Sequence, residues 1–202
     1  MPVDVLMPPD ASGAQVPPVP SLSPVPPVRA LRRPTARLLF SHPAHAIALG
    51  FGSGLSPVAP GTVGTLWAWI AFLVVQPRVS TPFMGALIAG SFLIGWWACT
   101  VTARTLYKPD PSAIVWDEVL GFWLVLWLVT PAGLAAQAVA FALYRYFDIA
   151  KPGPVAWADQ RVKAGQRGAR VGWAHGFGIL FDDLVAALCT LLVIALWHRL
   201  LP

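Results

Sequence analysis

The chain has 202 residues, of which 56% are hydrophobic and only 11% are charged, and its formal net charge is +5. A mean hydropathy of +0.64 argues against a soluble globule and is typical of a membrane protein. No basic stretch alternates with exposed aromatic residues, so we expect no nucleic-acid partner, and anionic phospholipid is the expected partner of the positive charge. Cys99 and Cys189 lie in apolar segments, which argues against a disulfide framework or a zinc site with paired ligands.

The chain begins with a proline-rich stretch. Residues 1–34 hold ten of the 21 prolines, and few large apolar side chains accompany them, so this stretch cannot bury enough surface to offset its ordering entropy. We therefore predict a disordered tail over residues 1–37 and a membrane-embedded domain over residues 38–202. Residues 40–64 contain several glycines and prolines, which predict irregular backbone or short helical pieces near the membrane surface.

Five apolar stretches follow, and they predict an all-α fold, a polytopic bundle of four to five membrane helices. The first stretch has only 15 residues and would reach about 22 Å, which is short for a hydrocarbon core of about 30 Å. Prolines and glycine in the connecting turns make neighbouring helices antiparallel. The predicted stretches are residues 62–76, 83–105, 114–130, 132–147 and 184–200.

The distribution of lysine and arginine orients this bundle. With five crossings and a cytoplasmic N-terminus, only Arg78 and Arg199 of the 14 basic residues fall outside, which agrees with the positive-inside rule. The same five-crossing topology places every acidic residue after Asp10 on the cytoplasmic side. Because a carboxylate at membrane depth is costly, residues of this kind usually face a partner, a cavity or an ion.

The first acidic cluster is Asp117-Glu118, which opens an apolar stretch and is preceded by Asp110. Adjacent side chains on a helix diverge by about 100°, so one carboxylate can ligate an ion while the other orients a ligand. Capping of the helix by these two residues is the simpler alternative.

The second cluster places Asp148 and Lys151 three residues apart at the end of a helix that stops before Pro152. An intrahelical salt bridge would explain this pair, although an exposed pair adds only about 0.3–0.5 kcal/mol of stability. The third cluster is Asp182-Asp183, predicted to open the last helix, where N-capping would explain one aspartate better than two. Three acidic helix starts on one side of the membrane fit a divalent cation, since Mg²⁺ prefers a few carboxylates together with water and substrate phosphate.

A turn of small and hydroxyl-bearing residues precedes the first apolar stretch. Free N–H groups at a helix N-terminus bind anions, and glycine permits close approach, although glycine and threonine also pack membrane helices. His45 near this turn could donate a proton, but a neutral structural histidine is the simpler interpretation. The candidate phosphate-binding residues of the turn are Gly61, Thr62, Gly64 and Thr65.

Taken in order, four motifs resemble the bacterial phosphatidylglycerophosphatase A family over about residues 45–195. They are Gly61-Thr62-Val63-Gly64-Thr65, Asp110-Pro111 with Ile114-Val115-Trp116-Asp117-Glu118 and Gly121, Tyr144-Arg145-Tyr146-Phe147-Asp148-Ile149-Ala150-Lys151-Pro152, and Asp182-Asp183. The resemblance implies a Mg²⁺-dependent hydrolase of the bacterial inner membrane. Such an enzyme removes the terminal phosphate of phosphatidylglycerophosphate during phospholipid biosynthesis.

Our mechanistic hypothesis assigns these residues to roles. Asp117, Asp148, Asp182 and Asp183 would hold Mg²⁺ directly or through water, and Glu118 and Asp110 would orient a ligand or act as a base. Arg145 and Lys151 would add positive charge for the phosphate, and the backbone N–H groups of residues 61–65 would bind its oxygens. Direct attack by water and a phosphorylated aspartate both remain open at this point.

Three alternatives are kept beside this hypothesis. A phosphatase of another lipid phosphate would need the same residues. A lipid or ion transporter would place its carboxylates near the bilayer midplane, and a non-enzymatic assembly factor would not depend on Asp117 or Asp182 for lipid composition. The predicted basic, glycine-containing loop of residues 151–179 would cover the site as a gate. The oligomeric state is not predicted.

Overall fold

The computed structural model describes residues 34–166 and 170–200, and all regular elements within these ranges are helices. Short 3₁₀ segments at Gly50–Leu55 and Gln76–Arg78 flank the third helix. The α-helices are α1 (Ala36–Leu39), α2 (Pro43–Ala48), α3 (Pro60–Val75), α4 (Thr81–Thr105), α5 (Trp116–Val129), α6 (Leu134–Ala150), α7 (Pro154–Gln166) and α8 (Trp173–Leu200). The all-α prediction is confirmed for the described residues.

The predicted tail lies almost entirely outside the described residues. Its proposed boundary at residue 37 falls inside α1, which begins at Ala36. The short helical pieces predicted for residues 40–64 are confirmed as α2 and the 3₁₀ segment that follows it. These pieces lead directly into α3.

Helices α5 and α8 form the centre of the bundle. Helix α5 packs against α3, α4, α6 and α8, while α8 also packs against α4, α6 and α7. The core side of α5 is closely packed, with Val119, Phe122 and Val125 at most 1% exposed. Close contact between such side chains stabilises the packing of helices by van der Waals attraction.

Local sequence signals explain where several helices begin and end. Pro60 occupies the first turn of α3, where its missing N–H costs no hydrogen bond. Ser80 caps α4 by accepting a hydrogen bond from the Phe83 N–H at 3.4 Å. At the other end of the bundle, Lys151 adopts a left-handed conformation (φ 45°, ψ 51°) and Pro152 follows it, so α6 ends there.

Two of the helices, Thr81–Thr105 and Trp173–Leu200, are long and apolar enough to cross a membrane. Large apolar side chains point outward from the bundle, among them Ile70 (65% exposed), Leu93 (64%) and Leu192 (61%). An exposed apolar surface of this kind is compatible with lipid contact. Helices α3, α5 and α6 have 16, 14 and 17 residues and are shorter than the roughly 20 residues of a full crossing.

The structure corrects two predictions about the C-terminal third. The last helix begins at Trp173 instead of near residue 184, so Asp182 and Asp183 lie in its interior and do not cap it. The predicted loop of residues 151–179 contains α7 and the first turns of α8. The prediction placed the helix start where the sequence becomes uniformly apolar. The first turns of α8 instead include glycine, histidine and the two aspartates.

Candidate active site

One cavity of about 380 Å³ collects nearly all the predicted site residues. It lies where the N-terminal ends of α3 and α5 meet the C-terminal end of α6 and the third turn of α8. Six carboxylates and two cationic side chains line it: Asp110, Asp117, Glu118, Asp148, Asp182 and Asp183, with Arg145 and Lys151. Four sequence motifs that lie between Gly61 and Asp183 are therefore parts of one site.

The N-terminus of α3 forms one wall of the cavity. Ala59 adopts a left-handed conformation (φ 44°, ψ 57°) directly before the helix, which turns Gly61 and Thr62 toward the cavity. A Cβ atom on Gly61 would lie 2.2 Å from Glu118 Oε1 and 3.2 Å from Arg145 Nη2. Only glycine allows the helix and these two charged groups to approach this closely.

The other two residues predicted to bind phosphate do not line the cavity. Gly64 packs against Val115, where a Cβ would come within 2.7 Å of the valine Cβ. The Thr65 hydroxyl is buried and donates to the Gly61 carbonyl oxygen at 2.8 Å. These two residues support the position of the α3 N-terminus, and the wall itself is formed by Gly61 and Thr62.

Asp117 and Glu118 occupy the first turn of α5, and Val115 precedes that turn as the cap residue. Asp117 is 9% exposed. One oxygen of each carboxylate, Asp117 Oδ1 and Glu118 Oε2, is buried without a hydrogen-bond partner among the described residues. Since a buried carboxylate oxygen without a partner is costly, capping alone does not account for this pair.

Arg145 connects the α3 and α6 walls. Its guanidinium forms an ion pair with Asp148 and lies 3.7 Å from Glu118 Oε1. It also donates to the hydroxyls of Thr62 at 3.3 Å and Thr65 at 3.4 Å. Arg145 Nε is buried without a partner among the described residues.

Lys151 does not pair with Asp148, contrary to the alternative of an intrahelical salt bridge. Its Nζ donates to Asp182 on α8 and, at 2.8 Å, to Asp159 on α7. Burial alone would lower the pKa of Lys151, but the two carboxylates outweigh it and raise that pKa above its ordinary value. The left-handed backbone at Lys151 redirects the chain after α6, which explains why its partners lie on other helices.

Asp159 lies between Lys151 and Lys163, whose Nζ donates to it at 2.7 Å. Burial would raise the pKa of the Asp159 carboxyl, but hydrogen bonds and charge from the two lysines hold it below its ordinary value. A chain of ion pairs thus runs from α8 through Lys151 to α7. Because α7 was not predicted as a helix, this contact was missed at the sequence level.

Asp183 projects into the centre of the bundle, where it is 4% exposed. The Tyr144 hydroxyl donates to Asp183 Oδ1 at 2.9 Å, and Tyr144 is itself fully buried. Asp148, Glu118 and Asp182 are close enough to interact electrostatically with the Asp183 carboxylate. Tyr144 was part of the recognised motif, but its bond to Asp183 depends on the distance between α6 and α8, which the sequence does not give.

The donor set fits a hard divalent cation such as Mg²⁺. Carboxylates outnumber cationic groups six to two around the cavity, and two buried carboxylate oxygens lack partners among the described residues. No three histidine, cysteine, aspartate or glutamate side chains in the described ranges converge closely enough to bind one ion on their own. Any Mg²⁺ bound here would therefore need water or substrate oxygens as further ligands.

His45 is not part of the cavity. It is 4% exposed, and its Nδ1 lies 2.9 Å from the Thr102 hydroxyl on α4. Burial, followed by the neighbouring His42, lowers the pKa of His45, which favours the neutral ring. These contacts support the structural interpretation of His45.

The cavity also contains residues that were not predicted, among them Ser112, Ile149 and Ile179. Ile149 is 68% exposed and borders the cavity one residue after Asp148. Only its position next to the second acidic cluster could have indicated that Ile149 borders the site. An isoleucine at the end of an apolar helix is otherwise indistinguishable from its apolar neighbours.

Comparison with known proteins identifies a match to the family model for phosphatidylglycerophosphatase A over residues 46–198. Phosphatidylglycerophosphatase A of Escherichia coli strain K12 is 35% identical over 151 residues, which cover 75% of this chain and 81% of that protein. The protein of the same name from Haemophilus influenzae is 33% identical over 161 residues, 80% of this chain and 92% of that protein.

A third relative carries a different name. A Bacteroides thetaiotaomicron protein, provisionally named a phosphatidylinositol-3-phosphatase, is 35% identical over 155 residues, covering 74% of this chain and 89% of that protein. No solved protein structure matches the chain. The region that matches the family model contains all the residues that line the cavity.

Proposed function

The chain belongs to the phosphatidylglycerophosphatase A family and is a phosphatase, and we propose that it hydrolyses phosphatidylglycerophosphate to phosphatidylglycerol and inorganic phosphate. The observation that carries this proposal is the acidic cavity that residues of α3, α5, α6 and α8 line together. A lipid with a phosphorylated headgroup can keep its acyl chains beside the apolar outer surface while its phosphate reaches this cavity.

The charge balance of the cavity favours metal assistance. Arg145 and Lys151 are already paired with Asp148, Asp159 and Asp182, so a phosphate would meet an excess of negative charge unless another cation were present. Mg²⁺, held by Asp117, Asp148, Asp182 and Asp183 directly or through water, would offset that charge and stabilise the transferring phosphate. Magnesium dependence is part of the proposal.

The side chains and backbone of the α3 wall would position the phosphate. The N–H groups at the start of α3, near Gly61 and Thr62, provide partial positive charge for its oxygens. Arg145, which already donates to the Thr62 hydroxyl, supplies further donors beside this wall. Together they would hold the phosphorus atom in place for attack and stabilise charge in the transition state.

The proposed step breaks the bond between phosphorus and the glycerol oxygen of the headgroup. A water oxygen attacks phosphorus and passes one proton to a carboxylate, which then returns that proton to the departing glycerol oxygen. We assign the acceptor role to Glu118, whose Oε2 has no partner among the described residues. The alternative mechanism passes through an aspartyl phosphate. It would leave a phosphorylated protein when a single turnover is quenched with acid, whereas direct attack by water would not.

We also propose that the protein is a multi-pass protein of the bacterial inner membrane, with five crossings and a cytoplasmic N-terminus. Two helices of membrane-spanning length and the outward apolar surface support this arrangement. The strong excess of lysine and arginine on one side supports the orientation.

The test is phosphate release by the purified protein from phosphatidylglycerophosphate in mixed micelles, with Mg²⁺ or with chelator. Asp117→Asn and Asp182→Asn should each lower release by at least about 100-fold, as expected when a catalytic charge is removed, while both variants stay folded. Arg199→Gln changes a charge at the far end of α8 and should keep the parental rate. Parental release from both aspartate variants would disprove the assigned site.

The Bacteroides relative favours one second substrate class, namely a phosphorylated inositol lipid. The same assay therefore includes phosphatidylinositol 3-phosphate in matched micelles. A higher kcat/KM for this lipid than for phosphatidylglycerophosphate would replace the proposed substrate without changing the assigned site.

A further inference from the structure

A second, much smaller cavity of about 20 Å³ adjoins the active site. It shares Asp110, Ile179 and Asp182 with the main cavity and is also bordered by His175 on α8 and Asp159 on α7. We call this small cavity the annex. Its volume is enough for one water molecule.

His175 is the residue in the annex without an explained role. Its side chain is 2% exposed, and its Nδ1 accepts a hydrogen bond from the Gly172 N–H at 3.1 Å. Since Nδ1 is an acceptor, the neutral ring carries its proton on Nε2. Nε2 has no hydrogen-bond partner among the described residues, and His175 borders the annex together with three carboxylates and Lys163.

The surroundings supply acceptors for such a water. Asp182 contacts Lys151 through Oδ2, so Oδ1 can accept a further hydrogen bond, and Asp110 offers a second carboxylate. A buried water typically makes about three hydrogen bonds, and the His175 donor with these two acceptors meets that requirement. His175, Ile179 and Asp182 lie four and three residues apart on α8, so they share one helix face.

We propose that the annex holds one ordered water through which His175 positions the carboxylates of Asp182 and Asp110 for phosphate hydrolysis. The water accepts from His175 Nε2–H and donates one hydrogen to each carboxylate. His175 is then a positioning residue, since it acts on the site through the water and through these carboxylates. The kinetic consequence rests on the proposed phosphatase function, whereas the water link itself does not.

The first experiment tests the link without using activity. Nitrogen-15 NMR of the full chain, labelled at histidine and reconstituted in lipid nanodiscs, should show His175 protonated on Nε2, with the signal assigned through His175→Gln. Asp182→Asn and Asp110→Asn should each shift this resonance. Asp148→Asn, which alters the main cavity but not the annex, should leave it unchanged. Protonation on Nδ1, or a resonance unaffected by both annex variants, would overturn the proposal.

The second experiment separates the two ring nitrogens by activity. His175→Asn keeps an acceptor near the Nδ1 position for Gly172 but removes the Nε2 donor, and His175→Gln keeps a donor near the Nε2 position. We expect His175→Asn to lower kcat by about 10-fold or more with little change in KM, as for loss of residues that orient metal-site ligands. His175→Gln should retain most of the parental kcat.

The control is His198→Asn near the end of α8, which should behave as the parent in rate and thermal stability. Parental kcat in folded His175→Asn, or an equal loss in His175→Gln, would reject the positioning role. If the parent itself releases no phosphate from any lipid tested, the proposed function fails, and the NMR result alone decides the water link.

Discussion

Gly61 sets the distance between the α3 N-terminus and the charged groups of the cavity. The missing side chain at this position lets Glu118 Oε1 and Arg145 Nη2 lie against the helix backbone. Gly61 is the second residue of α3, and the close approach of these two charged groups requires a residue without a side chain there.

Replacement of Gly61 by alanine should therefore reduce activity while leaving the protein folded. The new methyl group would meet Glu118 Oε1 at 2.2 Å, so the glutamate must move, and displacement of a catalytic group by about 1 Å can cost on the order of 100-fold in rate. Steady-state phosphate release by Gly61→Ala and by the parent measures this effect. Gly90→Ala on α4 is the matched control, since a Cβ there meets nothing within 4 Å. A Gly61→Ala variant with the parental rate would contradict the close-packed wall.

For individual residues, the sequence predicted which charged side chains line the cavity better than it predicted which of them form ion pairs with each other. Six of the eight charged residues that line it stood out as acidic clusters near apolar stretches, because charge is conspicuous in such a sequence. The pairing of Lys151 with Asp159 and Asp182 was not predictable, since it depends on the left-handed backbone at Lys151 and on α7. The sequence also predicted that Gly64 binds phosphate, whereas the structure packs it against Val115. A glycine that allows close packing and a glycine that binds phosphate give the same sequence pattern.

The contact between α4 and α8 is closely packed around Gly176. A Cβ on Gly176 would lie 2.0 Å from Thr100 Oγ1 and 2.9 Å from both the Thr100 nitrogen and the Trp96 carbonyl oxygen. Small residues that allow backbones to approach are characteristic of helix pairs in membranes. Because two of these three contacts are backbone atoms, a side-chain rotation cannot relieve them.

Gly176→Ala should separate α4 from α8 and destabilise the protein by about 1–3 kcal/mol, the usual cost of overpacking. The measurement is the thermal unfolding midpoint in detergent, with Gly90→Ala again as the control, because that substitution adds a methyl group to α4 without a contact. Adding Thr100→Ala should recover only part of the loss, since the backbone contacts persist. Full recovery would show that the hydroxyl alone limits the approach.

Helix α8 also shows why an apolar run is an incomplete guide to a helix. The sequence placed the start of this helix at residue 184, where the carboxylates end and uniform hydrophobicity begins. The structure begins it at Trp173, and the Trp96 indole donates to the Trp173 carbonyl oxygen at 2.7 Å. Packing of the early turns against α4 stabilises a segment that hydropathy alone did not identify.

The whole molecule brings three helix ends and the third turn of α8 to one side. The cavity is lined by the first turns of α3 and α5, the last turn of α6 and the third turn of α8. Such convergence requires that α5 and α6 run in opposite directions and that α3 and α5 run in the same direction. An up-and-down bundle with five crossings meets this requirement, although three of its helices are short.

The length of α8 fits the same arrangement. Its 18 residues from Asp183 to Leu200 span about 27 Å, close to the roughly 30 Å of a hydrocarbon core. Placing Asp183 at the cytoplasmic boundary leaves the first turns, with His175, on the aqueous side. Arg199 would then reach the opposite interface, where a long basic side chain can extend to the headgroups.

This topology predicts which engineered cysteines a membrane-impermeant maleimide can reach. In a background carrying Cys99→Ala and Cys189→Ala, the substitutions Tyr107→Cys and Gln160→Cys should react only in inverted vesicles. Ser80→Cys and Gly133→Cys should react only in intact spheroplasts, because α3 and α5 would carry the chain outward and α4 and α6 would return it. All four native residues are exposed in the structure, so the side of the membrane, not burial, determines labelling. Reaction of all four from the cytoplasmic side would leave α3, α4, α5 and α6 without crossings and reject the five-crossing topology, whereas the alternating pattern would place the acidic cavity at the cytoplasmic interface.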